Sequence, residues 1–286
     1  MKKFSQTAFS RFFVKFPKIL LAGSLYSISL ALFTGVFVLV SYLTGFNNVI
    51  VWGLGIIPSM PFLAGLTMVV RKYAVEKEDV KVVSTFFTTV RDNFLKFLVH
   101  GVVAYLITAC SFFALLYYYT LSKVDVVFGS VLTLYLIFTL LLIVMMYYVP
   151  IMTITYELKM KDIYKNAFLL IFGKILRNLI ATVCIAVVSA AVLLLLIFSK
   201  GIFFGVSVAL VTLLFPLIAV YIVVAIISGG LQDAVGKFVG VKDETEPDEF
   251  DAAHLNEVIS NTGNNSDYVF VNGKMIKVKK EQDKSD

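Results

Sequence analysis

Apolar residues fall along this chain in six long, nearly unbroken runs: Ile19 to Tyr42, Val49 to Val70, Phe94 to Tyr119, Val126 to Tyr148, Ile175 to Phe198 and Ile202 to Ser228. Each holds the roughly 20 residues that a helix rising about 1.5 Å per residue needs to cross a hydrocarbon core of about 30 Å. Backbone exposed to lipid must satisfy its own hydrogen bonds, so runs this apolar predict helices rather than barrel strands. The first run is about twice as long as the apolar core of a signal peptide and ends without a small-residue cleavage site, which predicts a retained helix. Connections 45–48, 121–125 and 199–201 are short, while 71–93 and 149–174 are longer and charged.

A second, finer pattern lies in the charged segments. Phe9, Phe12, Phe13 and Phe16 share one helical face beside Arg11, Lys15 and Lys18. Val82, Val83, Phe86, Phe87, Val90 and Phe94 keep the same spacing, with Asp79 placed to cap the helix, and Ile163, Tyr164, Ala167, Phe168 and Ile171 repeat it beside Lys161 and Lys165. Apolar positions at i, i+3, i+4 and i+7 next to cations predict three helices lying at the headgroup boundary. They can serve simply to pack on the inner face of the bundle, or to recruit a partner or lipid. Prolines punctuate the even runs or their ends, at Pro58, Pro61, Pro150 and Pro216, and are the candidate kink positions because each removes a backbone donor.

Composition agrees with a membrane body. Of 286 residues 59% are hydrophobic and 15% charged, with mean hydropathy +0.89, against about 45–50% and about 25% in soluble domains. The 25 Lys and Arg residues are divided unevenly, since only Lys123 and Lys200 lie on the short-connection side. Cations concentrate in cytoplasmic loops, so both termini are expected in the cytoplasm. The formal net charge of +6 hides two unlike parts: a basic membrane domain over 1–240 and an acidic tail over 241–286, dense in Asp and Glu between Asp243 and Asp251 and read as a largely flexible tether. Within the tail, Asn272-Gly273 between two short apolar runs predicts a β-hairpin over 267–278, Phe270 facing Met275 and Val269 facing Ile276. The expected fold is therefore an all-α polytopic membrane protein of six transmembrane helices, with interfacial amphipathic helices and a short C-terminal hairpin.

Candidate chemistry is sparse. Apart from His100, and Lys96 and Arg177 at the charged rims, the six runs contain no Asp, Glu, His, Lys or Arg. A proton relay or a cation site built on side-chain charge thus has no candidates. His100 is expected to make an intramembrane polar contact with a neighbouring helix. Phosphate loops, His/Cys metal clusters and nucleophile elbows are absent from the sequence, so no catalytic, cofactor-binding or metal residue is expected, and no cofactor. Cys110 and Cys184 lie in apolar runs, which argues against a disulfide framework. The cations are juxtamembrane rather than gathered on one domain face, which excludes nucleic acid as a partner and leaves the lipid bilayer.

The stretch Ile57-Pro58-Ser59-Met60-Pro61-Phe62-Leu63-Ala64-Gly65, followed by Arg71-Lys72, Ser84-Thr85-Phe86-Phe87 and Asn93-Phe94, resembles the YesL-like family of bacterial integral membrane proteins. A second block agrees, from Pro150 through Tyr156-Glu157-Leu158-Lys159 to Asp162–Ala167 and Lys174–Asn178, as does Arg11-Phe12-Phe13 near the start. The resemblance covers about residues 9 to 235 and leaves out the acidic tail and the hairpin. It implies a plasma-membrane protein of a family without an established activity, associated with carbohydrate uptake and polysaccharide use, and it carries over no ligand or catalytic residue. Three roles remain: a non-enzymatic accessory or regulatory component of a carbohydrate uptake system, partnered by importer subunits or another membrane protein; a facilitator of a small neutral solute; or an envelope or lipid-associated scaffold.

Overall fold

A computed structural model describes residues 8–46 and 48–239, together with 268–271 and 274–277. In chain order the elements are α1 (Ala8–Thr44), α2 (Val49–Gly53), α3 (Ile56–Arg71), a π-helical turn over Lys72–Glu76, α4 (Val82–Leu121), α5 (Val126–Thr155), α6 (Met160–Gly173), α7 (Ile175–Phe198) and α8 (Ile202–Val239). Among the described residues six helical segments are long and apolar enough to cross a membrane: α1, the broken α2–α3 segment with its π turn, α4, α5, α7 and α8.

Local chemistry explains where these helices stop and start. The Asn48 side chain accepts a hydrogen bond from Ile50 N at 3.0 Å to cap α2, and Asp125 accepts from Val127 N at 2.9 Å to cap α5. Gly45, at φ +74°, sits just past α1 in the left-handed conformation that releases a chain from a helix. The second apolar run does not form one rod. Pro58 has no N–H to offer the Leu54 carbonyl, which takes the Ile57 N–H instead at 3.1 Å, and the helix breaks between Gly53 and Ile56. Pro61, inside α3, likewise withholds a donor from the Ile57 carbonyl, and Gly101 of α4 comes up against that carbonyl so closely that a Cβ would lie 2.8 Å from it. Pro150 and Pro216 lie inside α5 and α8, and Pro17, which the hydropathy pattern did not single out, lies inside α1.

The broken segment is the centre of the bundle. α3 packs on α1, α4, α5 and α8, and small residues permit the approach. A Cβ on Gly65 would stand 2.7 Å from the Phe86 ring, and one on Gly55 would stand 2.6 Å from both Cα and N of Thr34 in α1. Because the obstacle at Gly55 is backbone and cannot swing aside, Gly55→Ala is expected to lower stability by about 2 kcal/mol. Thermal unfolding of the detergent-solubilised protein checks this, and an unchanged midpoint would rule out so close an α1 contact.

Burial is concentrated at the charged end. Leu66, Val69, Tyr73, Phe86, Tyr148, Met152, Ile163, Ala167 and Ile227 form one cluster there, whereas Val124, Val126 and Ile202, beside the short connections, are more than 80% exposed. Only one of the three expected surface helices is a separate element, α6. Residues 9–16 and 82–94 are continuous with α1 and α4, because no glycine or proline interrupts the chain between Val82 and Gly101 and Pro17 is accommodated near the start of α1. At 40 residues, α4 is about 60 Å long. Its apolar stripe is also divided, with Val82, Phe86 and Val90 buried and Val83, Phe87 and Phe94 exposed.

In the tail, Tyr268–Val271 and Lys274–Lys277 run antiparallel, with Val269 opposite Ile276 and Phe270 opposite Met275. The expected hairpin is nevertheless not supported as a folded part of the architecture. Four residues a side bury too little to hold two strands in water by themselves, and the turn and the acidic run lie outside the described residues. The fold that the structure supports is all-helical.

Candidate functional site: the charged end of the bundle

Where α3 leaves the apolar zone the helix widens into its π turn, and Lys77, at φ +61°, turns the chain towards α4. Arg71 is buried there, its Nη2 donating to Glu76 Oε1 at 3.1 Å. Lys72 Nζ donates to Glu76 Oε2 at 2.6 Å and to Glu78 Oε2 at 2.8 Å. Asp79 does not cap α4. The residue before α4 is Lys81, which makes no side-chain cap, and Asp79 accepts instead from Lys18 Nζ at 2.5 Å and Lys15 Nζ at 3.3 Å. Two cations about sixty residues away displace the local amide because in these bonds donor and acceptor are both ionised, whereas a capping amide is neutral. The hydrogen bonds from Lys18 and Lys15 hold the Asp79 carboxyl below the usual carboxylate range. This clasp joins α1 to the α3–α4 turn.

Deeper lies His100, fully buried on α4. Its Nε2 is 2.8 Å from Thr153 Oγ1 on α5, and its Nδ1 is 2.7 Å from Tyr164 Oη on α6. Thr153 donates its own proton to the Val149 carbonyl at 2.7 Å, so it accepts from His100. The ring therefore carries its proton on Nε2 and accepts from Tyr164 at Nδ1, as a neutral imidazole. Burial pushes the Tyr164 hydroxyl up to about 12, which keeps it a donor throughout the physiological range. Phe97 packs edge-on to the imidazole, 5.4 Å between centroids. One histidine thus ties three helices together. Replacing it by Phe removes both bonds and is expected to cost about 2 kcal/mol, with Tyr164→Phe costing about 1. The double variant should lose less than the sum, and strict additivity in denaturant unfolding would disprove the coupling.

A second clamp stands at the α6–α7 junction. Asn178 accepts from Tyr148 Oη at 2.6 Å and donates through Nδ2 to the carbonyls of Leu170 at 3.1 Å and Ile171 at 2.8 Å. It serves the C-terminal end of α6, where helices leave carbonyls open, sharing the Leu170 carbonyl with the Lys174 N–H at 3.1 Å. Beside it, Arg177 lies across α8: a Cβ on Gly229 would be 2.5 Å from its Nη1, and one on Gly230 would be 2.7 Å from its Cδ. Nη1 donates to the Ile226 carbonyl at 3.3 Å.

A cleft of about 390 Å³ reaches Thr153 of the His100 clamp and is lined besides by Met68 of α3, by Thr89, Asp92, Asn93 and Lys96 of α4, by Ile154 of α5, and by Tyr156 to Lys159. The two blocks of sequence that carry the YesL-like resemblance meet here. The four prolines are not gathered into this site. Pro58 and Pro61 belong to the first half of α3, yet Pro61 reaches His100 indirectly, through the Ile57 carbonyl against which Gly101 packs. Among the described residues no group of His, Cys, Asp or Glu is arranged to hold a metal ion. The Arg71–Glu76 pair and the Asn178 clamp escaped the sequence reading, and only the juxtaposition of Arg71 with Glu76 within six residues could have signalled the first.

Residues 30–115, from the middle of α1 through α2, α3, the π turn and most of α4, match a family described as a protein of unknown function, DUF624, the family to which YesL-like proteins belong. The match includes Gly55, Arg71, Glu76, Asp92, Lys96 and His100 and stops short of Thr153, Tyr164 and Asn178. No curated protein and no solved structure matches the chain, so similarity is to a family of unknown function, over residues 30–115.

Proposed function

We propose that this protein is a non-enzymatic, multi-pass plasma-membrane component that assists a carbohydrate uptake system, with its charged end and both termini in the cytoplasm. The observation that carries this reading is α6. Its inner face, Ile163, Ala167 and Ile171, is buried in the bundle, and His100 and Asn178 hold it in place, while Phe168, Leu169 and Phe172 stay exposed on its other side beside Lys161 and Lys165. A surface helix fastened this firmly and still apolar outward suits a contact with a second membrane protein. Purification of the tagged chain from native membranes tests the idea: importer subunits should accompany it and be lost on Phe168→Ser/Phe172→Ser, and a clean single species would count against it.

The tail segment 267–278 is proposed to add to a partner's sheet edge or to another cytoplasmic element. Fast amide exchange over these residues in the isolated complex would remove that part. The cleft favours a second reading, a facilitator of a small neutral solute. Liposomes containing the protein and challenged with a panel of sugars decide between the two, since accessory function predicts no flux.

A further inference from the structure

The outward face of α6 has an order as well as a composition. Lys161, Lys165, Phe168 and Phe172 follow one another at intervals of four, three and four residues, which sets them in one stripe opposite the buried Ile163, Ala167 and Ile171. The stripe is basic at its start and apolar at its end. Phe168 and Phe172 are each more than half exposed, and neither lysine makes an ion pair with a described residue. The acidic tail repeats this order with the opposite charge. Asp248, Ala252, Leu255 and Ile259 keep the same intervals of four, three and four, with Glu249 and Asp251 beside the acidic end and Val258 beside the apolar end. The course of the chain brings the two together. α8 passes the α6–α7 junction at Gly229 and Gly230, where Arg177 packs on it, and Asp248 comes nine residues after the end of α8 at Val239. Nine residues reach up to about 30 Å, while the 14 residues of α6 extend about 21 Å. α8 also borders the π turn, but there Glu76, Glu78 and Asp79 already hold Arg71, Lys72, Lys15 and Lys18 and would repel an acidic segment. From Glu157 to Arg177 five cations stand against two acids.

We infer that residues 248–259 dock on the outward face of α6 and run parallel to it, with Asp248 beside Lys161, Asp251 beside Lys165, and Leu255 and Ile259 against Phe168 and Phe172. The apolar contacts hold the segment and the charges fix its direction, since exposed ion pairs contribute little energy by themselves but discriminate between registers. A weak contact suffices, because a short tether holds the segment at an effective concentration of about a millimolar. The proposed function assigns the same face of α6 to a partner. On that reading, and only this second step rests on it, the tail is a cover that the partner displaces.

Cysteine cross-linking on the full chain tests the docking, with Cys110 and Cys184 replaced by alanine and copper phenanthroline as the oxidant. In an uncharged maltoside Phe168→Cys/Leu255→Cys should form a disulfide within one chain. Val83→Cys/Leu255→Cys, whose first position is about equally exposed on α4, should react far more slowly. Lys161→Glu/Lys165→Glu should slow the first cross-link about tenfold, and Asp248→Lys/Asp251→Lys added to it should restore the rate, with unfolding temperatures unchanged throughout. The cross-link should persist in phosphatidylglycerol vesicles. Equal rates at Val83 and Phe168, indifference to charge reversal, or cross-links only between chains would overturn the inference. Loss of the cross-link in the vesicles would do so too, by giving the face to lipid. No partner is present in these measurements, so their failure is distinct from failure to copurify importer subunits. If both hold, Asp248→Lys/Asp251→Lys alone should raise the recovery of those subunits, and an intact cross-link without that rise would count against the partner reading only.

Discussion

Glu76→Ala is expected to destabilise the protein by about 3 kcal/mol, more than any other single truncation of a charged residue in the π turn. Glu76 is the anion between Arg71 and Lys72, at 3.1 Å and 2.6 Å, and the two cations differ in what they lose with it. Lys72 is partly exposed and keeps Glu78 at 2.8 Å. The Arg71 side chain is only 9% exposed, and removing one member of a buried pair strands the other charge, at a cost of about 3–5 kcal/mol. Lys72→Ala should therefore cost about 1 kcal/mol, and Arg71→Met should cost less than Glu76→Ala because Lys72 still pairs the carboxylate it leaves behind. Removing both charges, as Arg71→Met/Glu76→Leu, should recover part of the loss. Denaturant unfolding in detergent orders these variants, and equal losses for Glu76→Ala and Lys72→Ala would show that burial of Arg71 is not the source.

Asn178→Leu should produce a loss of comparable size, about 3 kcal/mol. Leucine keeps the branch at Cγ and removes all three bonds, leaving the fully buried Tyr148 hydroxyl and the Ile171 carbonyl short of a partner, while the Leu170 carbonyl keeps the Lys174 N–H. Hydrogen bonds between membrane helices average about 0.6 kcal/mol and reach about 1.7, and stranded buried groups add about 1–3 each. The site lies at the charged end, in the less apolar part of the bundle. Tyr148→Phe deletes only one of the three bonds and is expected to cost about 1 kcal/mol. Asn178→Asp keeps the acceptor for Tyr148 but turns a carboxylate towards two carbonyl oxygens, so it should be at least as damaging as the leucine. In both Asn178 variants amide exchange of residues 160–173 should rise before the rest of the bundle opens, and protection that is lost uniformly would contradict a local clamp.

What could be read from residues alone was governed by distance along the chain. The six apolar runs were legible because lipid imposes one simple demand on about twenty consecutive residues. The division of the second run into α2 and α3 was half visible in Pro58 and Pro61, although the accommodating partner, Gly101, lies forty residues away. Lys15 and Lys18 were legible as orienting cations and illegible as ligands of Asp79, because local capping rules rank neighbours in sequence and the winning donors came from α1. His100 stood out as a histidine in an apolar run. Its partners Thr153 and Tyr164 are ordinary residues that become notable only when α4, α5 and α6 are brought together. Asn178 appeared only inside a family-like block, since an asparagine at the start of a helix has no pattern that announces a clamp on the helix before it.

The contact between α1 and α8 sets the order in which this molecule can be completed during synthesis. Ser27 donates to the Leu213 carbonyl at 3.3 Å, and Gly23 admits Leu217, whose side-chain atoms lie 3.1 Å from where a Cβ would be. α1 therefore cannot finish packing until α8 has been made. Until then its small-residue face waits in lipid, and a chain that stalls before residue 202 keeps that face open to quality-control proteases or to the wrong helix.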